Sequence, residues 1–236
     1  GSAAMERIEG SMLQVLERQR LGIASSGATR RQLMSHLSVV SRLKLQAELD
    51  AHNGCVNRMA WNREGSLLAS VSDDCACCVW SMNPPTLSHT FSTGHSRNIF
   101  GVRFMPETGD SQLVTGAMDC EVRHHALGEA GEAHTRVWSC HTDRVKDVET
   151  EDGCPYLFWS AGEDGTVRQF DLREAGNPDN RHILIDLVRE SPHSYGNEVK
   201  SISICQPRPH LLAAATKDPV IRVWDRRMLG GGGAPE

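Results

Sequence analysis

The 236-residue chain carries 25 Lys/Arg against 30 Asp/Glu, a formal net charge of −5, which excludes a nucleic-acid surface built on bulk positive charge. Charged residues make up 23% and hydrophobic residues 39%, which excludes a solvated, disordered tract. No apolar run approaches the roughly 20 residues that cross a bilayer, so no membrane partner is expected. Eight cysteines without an apolar leader suit a reducing compartment, cytoplasm or nucleus. The charge is unevenly placed: residues 1–50 hold seven Lys/Arg and five Asp/Glu, net +2, leaving 18 against 25, net −7, for the remainder.

Residues 1–44 read as a helical arm. Ser11 with Gln14 and Thr29 with Gln32 are capping-box pairs that open two helices. Ile8, Met12, Val15 and Leu16 share one face of the first, and Gly22 stops it; Leu33, Leu37 and Val40 recur at helical spacing in the second. Such an arm either lies back on the rest of the chain or docks in a partner's groove. Leu45, Ala47 and Leu49 then alternate with Gln46 and Glu48, the period of a strand.

From residue 45 to 228 the chain repeats itself. Asp74, Asp119, Asp164 and Asp218 align at spacings of 45, 45 and 54 residues; six positions after each come Trp80, His125, Phe170 and Trp224, and four before come Ser70, Thr115, Ser160 and Ala214. Upstream stand His52, His95 and His141, each followed four positions later by Val56, Ile99 or Val145; in the fourth copy the histidine's slot falls on Tyr195, ahead of Val199. Such a period marks stacked units or blades. Between the third and fourth copies lies a long connection, residues 174–197, in which Ile183, Ile185 and Leu187 read as an outer strand. Residues 229–236, Gly-rich, read as a linker.

Three residue sets combine histidine, hydroxyl and acid: His52/Ser70/Asp74, His95/Thr115/Asp119 and His141/Ser160/Asp164. A hydrolase needs such a triad once, whereas matched repetition favours a structural role in which buried polar groups satisfy one another. Cys75, Cys77 and Cys78 lack the second paired cluster that a tetrahedral zinc site requires, so no metal or other cofactor is expected, and no catalytic residue is assigned.

The run of His52, LASVSDD ending at Asp74, and Trp80, together with VWD ending at Asp225, resembles the WD40 repeat. The resemblance implies an all-β propeller of four-stranded blades, partial here because four repeats stand where the family has about seven. It also implies that the Leu45–Leu49 strand belongs to the last blade of a closed ring. In such a propeller Asp171-Leu172-Arg173 and Asp225-Arg226-Arg227 follow the third strands of consecutive blades, on the face opposite His141 and Asp164. Paired arginines suit carboxylate and carbonyl recognition, unless each merely pairs with its neighbouring acid. The run of FDLR to Arg173 and WDRR to Arg227 is similar to the adaptor-binding signature of substrate receptors of cullin-4 ubiquitin ligases. The stretches beginning RLKLQAELDAHNG, GHSRNIFGVRFMP and FWSAGEDGTVRQFDLRE look like the WD- and tetratricopeptide-repeat branch of that group. That resemblance implies a non-enzymatic subunit that binds the triple-propeller adaptor through Asp171, Arg173, Asp225 and Arg227, aided by Leu13 and Leu16 of the arm, and presents an unknown protein substrate. A WD40 scaffold in a chromatin or RNA-processing assembly is the alternative.

Overall fold

A computed structural model describes residues 14–22, 29, 40–128, 133–174, 183–190 and 196–229. It forms two units, Gly1–Glu48 and Leu49–Glu236. In the first, residues 14–20 are helical and the chain leaves the helix at Gly22, whose φ of +70° is the left-handed stop that a residue without a Cβ adopts freely. Ser11, Leu13, Gln32, Leu33 and Leu37 fall outside the described residues, so the capping pairs and most of the expected apolar stripe do too.

The second unit is four antiparallel meanders. The first runs β1 (Val56–Trp61), β2 (Leu67–Ser72), β3 (Ala76–Met82) and β4 (Pro85–Ser92). The second is β5 (Ile99–Phe104), β6 (Gln112–Ala117), β7 (Val122–Leu127) and β8 (Ala133–Trp138), and the third is β9 (Val145–Thr150), β10 (Leu157–Gly162), β11 (Thr166–Asp171) and β12 (Ile183–Asp186). The fourth has three strands, β13 (Val199–Ile204), β14 (Leu211–Thr216) and β15 (Ile221–Asp225). The expected outer strand in the long connection is β12, which pairs with β11 and passes at Leu187 into a single helical turn.

The strands β1, β5, β9 and β13 are neighbours in that order, so the sheets stand side by side with their first strands innermost, like propeller blades. No sheet closes on itself among the described residues. Alternation puts successive side chains on opposite faces, and each face meets the next sheet. Ala69, Val71, Cys77 and Val79 pack on Ile99, Val102, Phe104 and Leu113. Val114 and Val122 pack with Val145, Val148, Phe158 and Phe170, where Trp138 lies edge-on to both phenylalanines at 5.4 and 5.5 Å. Trp159, Ala161 and Val167 pack on Val199, Ile202, Leu212 and Ala214.

The two end sheets leave one face uncovered. Met59 and Trp61 on the first, and Ile221 and Val223 on the last, are exposed apolar side chains, Ile221 to 73%. The strand expected over Leu45–Leu49 is not formed: residues 43–50 join no ladder and Leu45 is 76% exposed. A strand is a hydrogen-bonded pairing as much as an alternation, and the sequence period alone supplies no partner.

Candidate functional site

At one end of each of the first three blades the repeat builds a polar chain. In the first, Asp74 Oδ2 is 3.0 Å from His52 Nδ1, His52 Nε2 is 2.8 Å from Ser70 Oγ, and the Trp80 indole donates to the same Oγ at 2.9 Å. In the second, Asp119 holds His95 Nδ1 at 3.0 Å and His95 Nε2 meets Thr115 Oγ1 at 2.9 Å. His125 there takes the indole's place: its Nε2 meets Thr115 Oγ1 at 2.9 Å and its Nδ1 reaches Thr135 at 3.0 Å. In the third, Asp164 and Ser160 hold His141 at 2.9 and 2.6 Å, and the chain ends there because Phe170 has no donor.

Burial alone raises a carboxyl pKa, but the bonds from His141 and Thr166 outweigh it and bring Asp164 down to about 2. Asp74 and Asp119 are lowered in the same way, each with its histidine and backbone N–H groups overcoming burial. All three hydroxyls are buried, Ser70 and Thr115 are each shared between two partners and Ser160 is held by His141, so the sets hold strands together and offer no open nucleophile. Gly162 lets the third set close: a Cβ there would stand 2.5 Å from both His141 Nδ1 and Asp164 Oδ1.

The fourth repeat is built differently. Tyr195 lies outside the described residues, Ala214 is a core residue, and Asp218 is gripped by Thr216 and by Arg222, whose Nη2 sits 2.6 Å from Oδ2. Arg222 was not expected; its position four residues after the acid, matching Arg168 after Asp164, is the sequence signal that could have found it.

The cysteines do not converge. Cys77 enters the core shared with the second blade, while Cys78 faces the other way toward Leu68 and Trp80. Cys75 and Cys120 occupy the turn position of Gly165, each at positive φ (63° and 68°). Among the described residues His95, Asp119 and Glu121 form a cluster of metal-ligand types, but His95 and Asp119 hold each other and Arg123 grips Glu121 through Nε and Nη2 at 3.0 and 2.7 Å. Each of its three side chains is thus already engaged in hydrogen bonds.

The opposite ends of the third and fourth blades carry the arginines. Leu157 pairs with Asp171 at the far end of the ladder from Ala161 and Val167, so the turn after β11 emerges away from Asp164. Arg173 Nε and Nη2 fork onto Asp171 at 2.9 and 2.6 Å, and its backbone N–H donates to the same carboxylate at 2.9 Å. Arg227 repeats this on Asp225, with Nε at 2.9 Å and the backbone N–H at 3.1 Å. The hydrogen bonds from Arg227 hold the Asp225 carboxyl down at about 2, and those from Arg173 lower Asp171. Each arginine thus pairs with its neighbouring acid, yet its side chain stays 64% (Arg173) or 68% (Arg227) exposed. The fork engages Nε and Nη2 and leaves the Nη1 donors outside it, on side chains that are mostly exposed.

Neighbours brace both turns. Arg173 lies over the half-exposed Tyr156 ring at 4.7 Å, and Arg136 of β8 donates to the carbonyls of Leu172 and Glu174 at 3.0 and 2.5 Å. Arg226 stacks on Trp159 at 4.5 Å and pairs with Glu151 at 2.7 Å, while Gln206 donates to the Thr150 carbonyl at 3.0 Å, tying the third and fourth blades together at this end. Leu16 of the arm is exposed, and Leu13 lies outside the described residues.

Comparison with known proteins adds family to geometry. The WD40 family, described as WD domain, G-beta repeat, matches residues 43–81, 132–171 and 187–225. Protein ALTERED SEED GERMINATION 2 of Arabidopsis thaliana is 40% identical over 216 residues, 82% of this chain and 28% of that protein. WD and tetratricopeptide repeats protein 1 of Homo sapiens is 40% identical over 190 residues, 80% of this chain and 27% of the relative. DDB1- and CUL4-associated factor 6 of Homo sapiens is 32% identical over 216 residues, 91% of this chain and 25% of the relative. The chain therefore spans about a quarter of the length of these relatives.

Proposed function

Since the chain belongs to the WD40 repeat family, we propose that it is a non-enzymatic receptor portion of a cullin-4 ubiquitin ligase, docking on the adaptor DDB1 through the arginine turns of its third and fourth blades. The observation that carries this reading is the duplicated fork: Asp171 with Arg173 and Asp225 with Arg227 adopt the same geometry at the same end of consecutive blades, and both guanidinium groups stay exposed. A structural ion pair needs neither duplication nor exposure, and exposed pairs of this kind add little stability. Pre-organised arginines, by contrast, are frequent anchors of interfaces.

The resemblance to a protein named for association with DDB1 and CUL4 supports the choice of partner. Leu13 and Leu16 of the arm are proposed to add an apolar anchor, and a protein of unknown identity is proposed as the substrate. Capture on immobilised DDB1 tests the assignment: the wild-type chain is retained, Arg173→Ala/Arg227→Ala is not, and a chain lacking residues 5–24 is retained weakly. Retention of the double variant at the wild-type level overturns the role given to the arginines.

A further inference from the structure

The opposite end of the blades holds an unmatched cation. The second residues of the four inner strands are Asn57, Phe100, Lys146 and Lys200, which occupy equivalent places in β1, β5, β9 and β13. Lys146 is half-buried, with its Nζ 3.5 Å from the centroid of the Phe100 ring, and no carboxylate among the described residues lies within ion-pair distance of it. The charges that act on it are three cations, Lys200, Arg144 and Arg58, and one acid, Glu163. That acid is already occupied by Lys200 and, at 3.8 Å, by Arg144.

A second carboxylate of this region is spent as well. Asp147 is buried and takes Arg58 from the first blade, the Ser201 hydroxyl at 2.7 Å and the backbone N–H groups of Ile202 and Val148 at 3.2 and 3.0 Å. Lys146 therefore lies beside like charges, partly out of water, with an aromatic face as its partner and no oxygen acceptor among the described residues. Such an arrangement is costly for the free protein and is relieved when an anion arrives.

We propose that this end of the inner strands is a docking site for an acidic peptide segment, whose carboxylate pairs with Lys146 above Phe100, with Lys200 and Arg58 lining the approach. A peptide carboxylate fits better than a nucleic-acid backbone. Asp73, Asp143, Glu163 and Glu198 share this end of the blades and repel a continuous row of phosphates, whereas a single carboxylate can reach Lys146 between them. This site stands apart from the arginine turns, so it does not depend on the adaptor reading.

The test is fluorescence anisotropy of a labelled peptide with one glutamate flanked by glycines and an amidated C-terminus, mixed with the 236-residue chain, against the same peptide with glutamine in place of the glutamate and a single-stranded DNA of equal length. The glutamate peptide binds, the glutamine peptide does not, and Lys146→Ala weakens binding by about tenfold or more, the loss expected of one charge-assisted hydrogen bond. Lys217→Ala, which removes a lysine already paired with Glu198, leaves binding unchanged, and Lys146→Arg retains most of it. Unchanged thermal melting of Lys146→Ala separates lost binding from lost fold. No binding of the glutamate peptide, equal binding of both peptides, equal losses for the two alanine variants, or tighter binding of DNA overturns the proposal.

Discussion

His125 makes the second blade acid-sensitive. It replaces the tryptophan of the first blade, sits fully buried with both ring nitrogens bonded to threonine hydroxyls, and lies edge-on to Phe91 at 5.3 Å. Burial, then the nearby charges of His95, His124 and Arg123, push its pKa down to about 3 from 6.5. The folded state therefore keeps the ring neutral while the unfolded chain takes up a proton below 6.5. Stability is full above that value and falls as the pH drops toward the folded value, at ~1.4 kcal/mol per pH unit. At about two pH units below 6.5 the loss is ~2.7 kcal/mol. Urea unfolding of wild type and of His125→Gln near neutral pH and two units below 6.5 reads it directly. The variant is less stable near neutrality, and the gap closes by about 2.7 kcal/mol on acidification. Parallel pH profiles would refute the reasoning, because a ring that titrates equally in both states contributes no slope.

Asp164→Asn should cost ~2 kcal/mol near neutral pH, where the lowered folded pKa stabilises the native state; this difference holds above 3.8 and vanishes as the pH falls to about 2, as pH-dependent chemical denaturation will reveal. Gly162→Ala should destabilise by more than about 2 kcal/mol, since its Cβ collides with both His141 and Asp164; a melting temperature within a degree or so of wild type contradicts that packing. The isolated chain should self-associate through its uncovered end sheets, and Ile221→Lys with Val223→Lys should shift it toward monomer in sedimentation velocity; a monodisperse wild-type monomer rules this out.

Much of the fold was legible because the repeat constrains several spacings together. The acid, the hydroxyl four residues before it and the upstream histidine are covalently distant but meet in one network, and three copies in register announced it. His125 was readable as a stand-in for tryptophan from its position alone, and its ring makes the corresponding bond. Other features rest on geometry that spacing does not encode. Arg58 and Asp147 are 89 residues apart and belong to the first and third blades, so no local pattern links them. Arg136 supports the turn of Arg173 from a neighbouring outer strand, and its only sequence trace is a charge in an alternating run. The Leu45–Leu49 alternation misled because a strand's partner lies outside its own period.

The central claim is tested most directly by titrating purified DDB1 with the wild-type chain, Arg173→Ala/Arg227→Ala and Arg173→Lys/Arg227→Lys, each checked for its melting temperature. Loss of a hot-spot arginine commonly costs about 2 kcal/mol or more, roughly thirtyfold in affinity, whereas an exposed side chain contributes less than about 0.5 kcal/mol to stability. The alanine pair should lose at least that thirtyfold with its melting temperature unchanged, and the lysine pair, which keeps the charge but not the fork, should lose most of the affinity as well. Wild-type affinity in both variants, or a melting temperature that falls together with binding, contradicts the account.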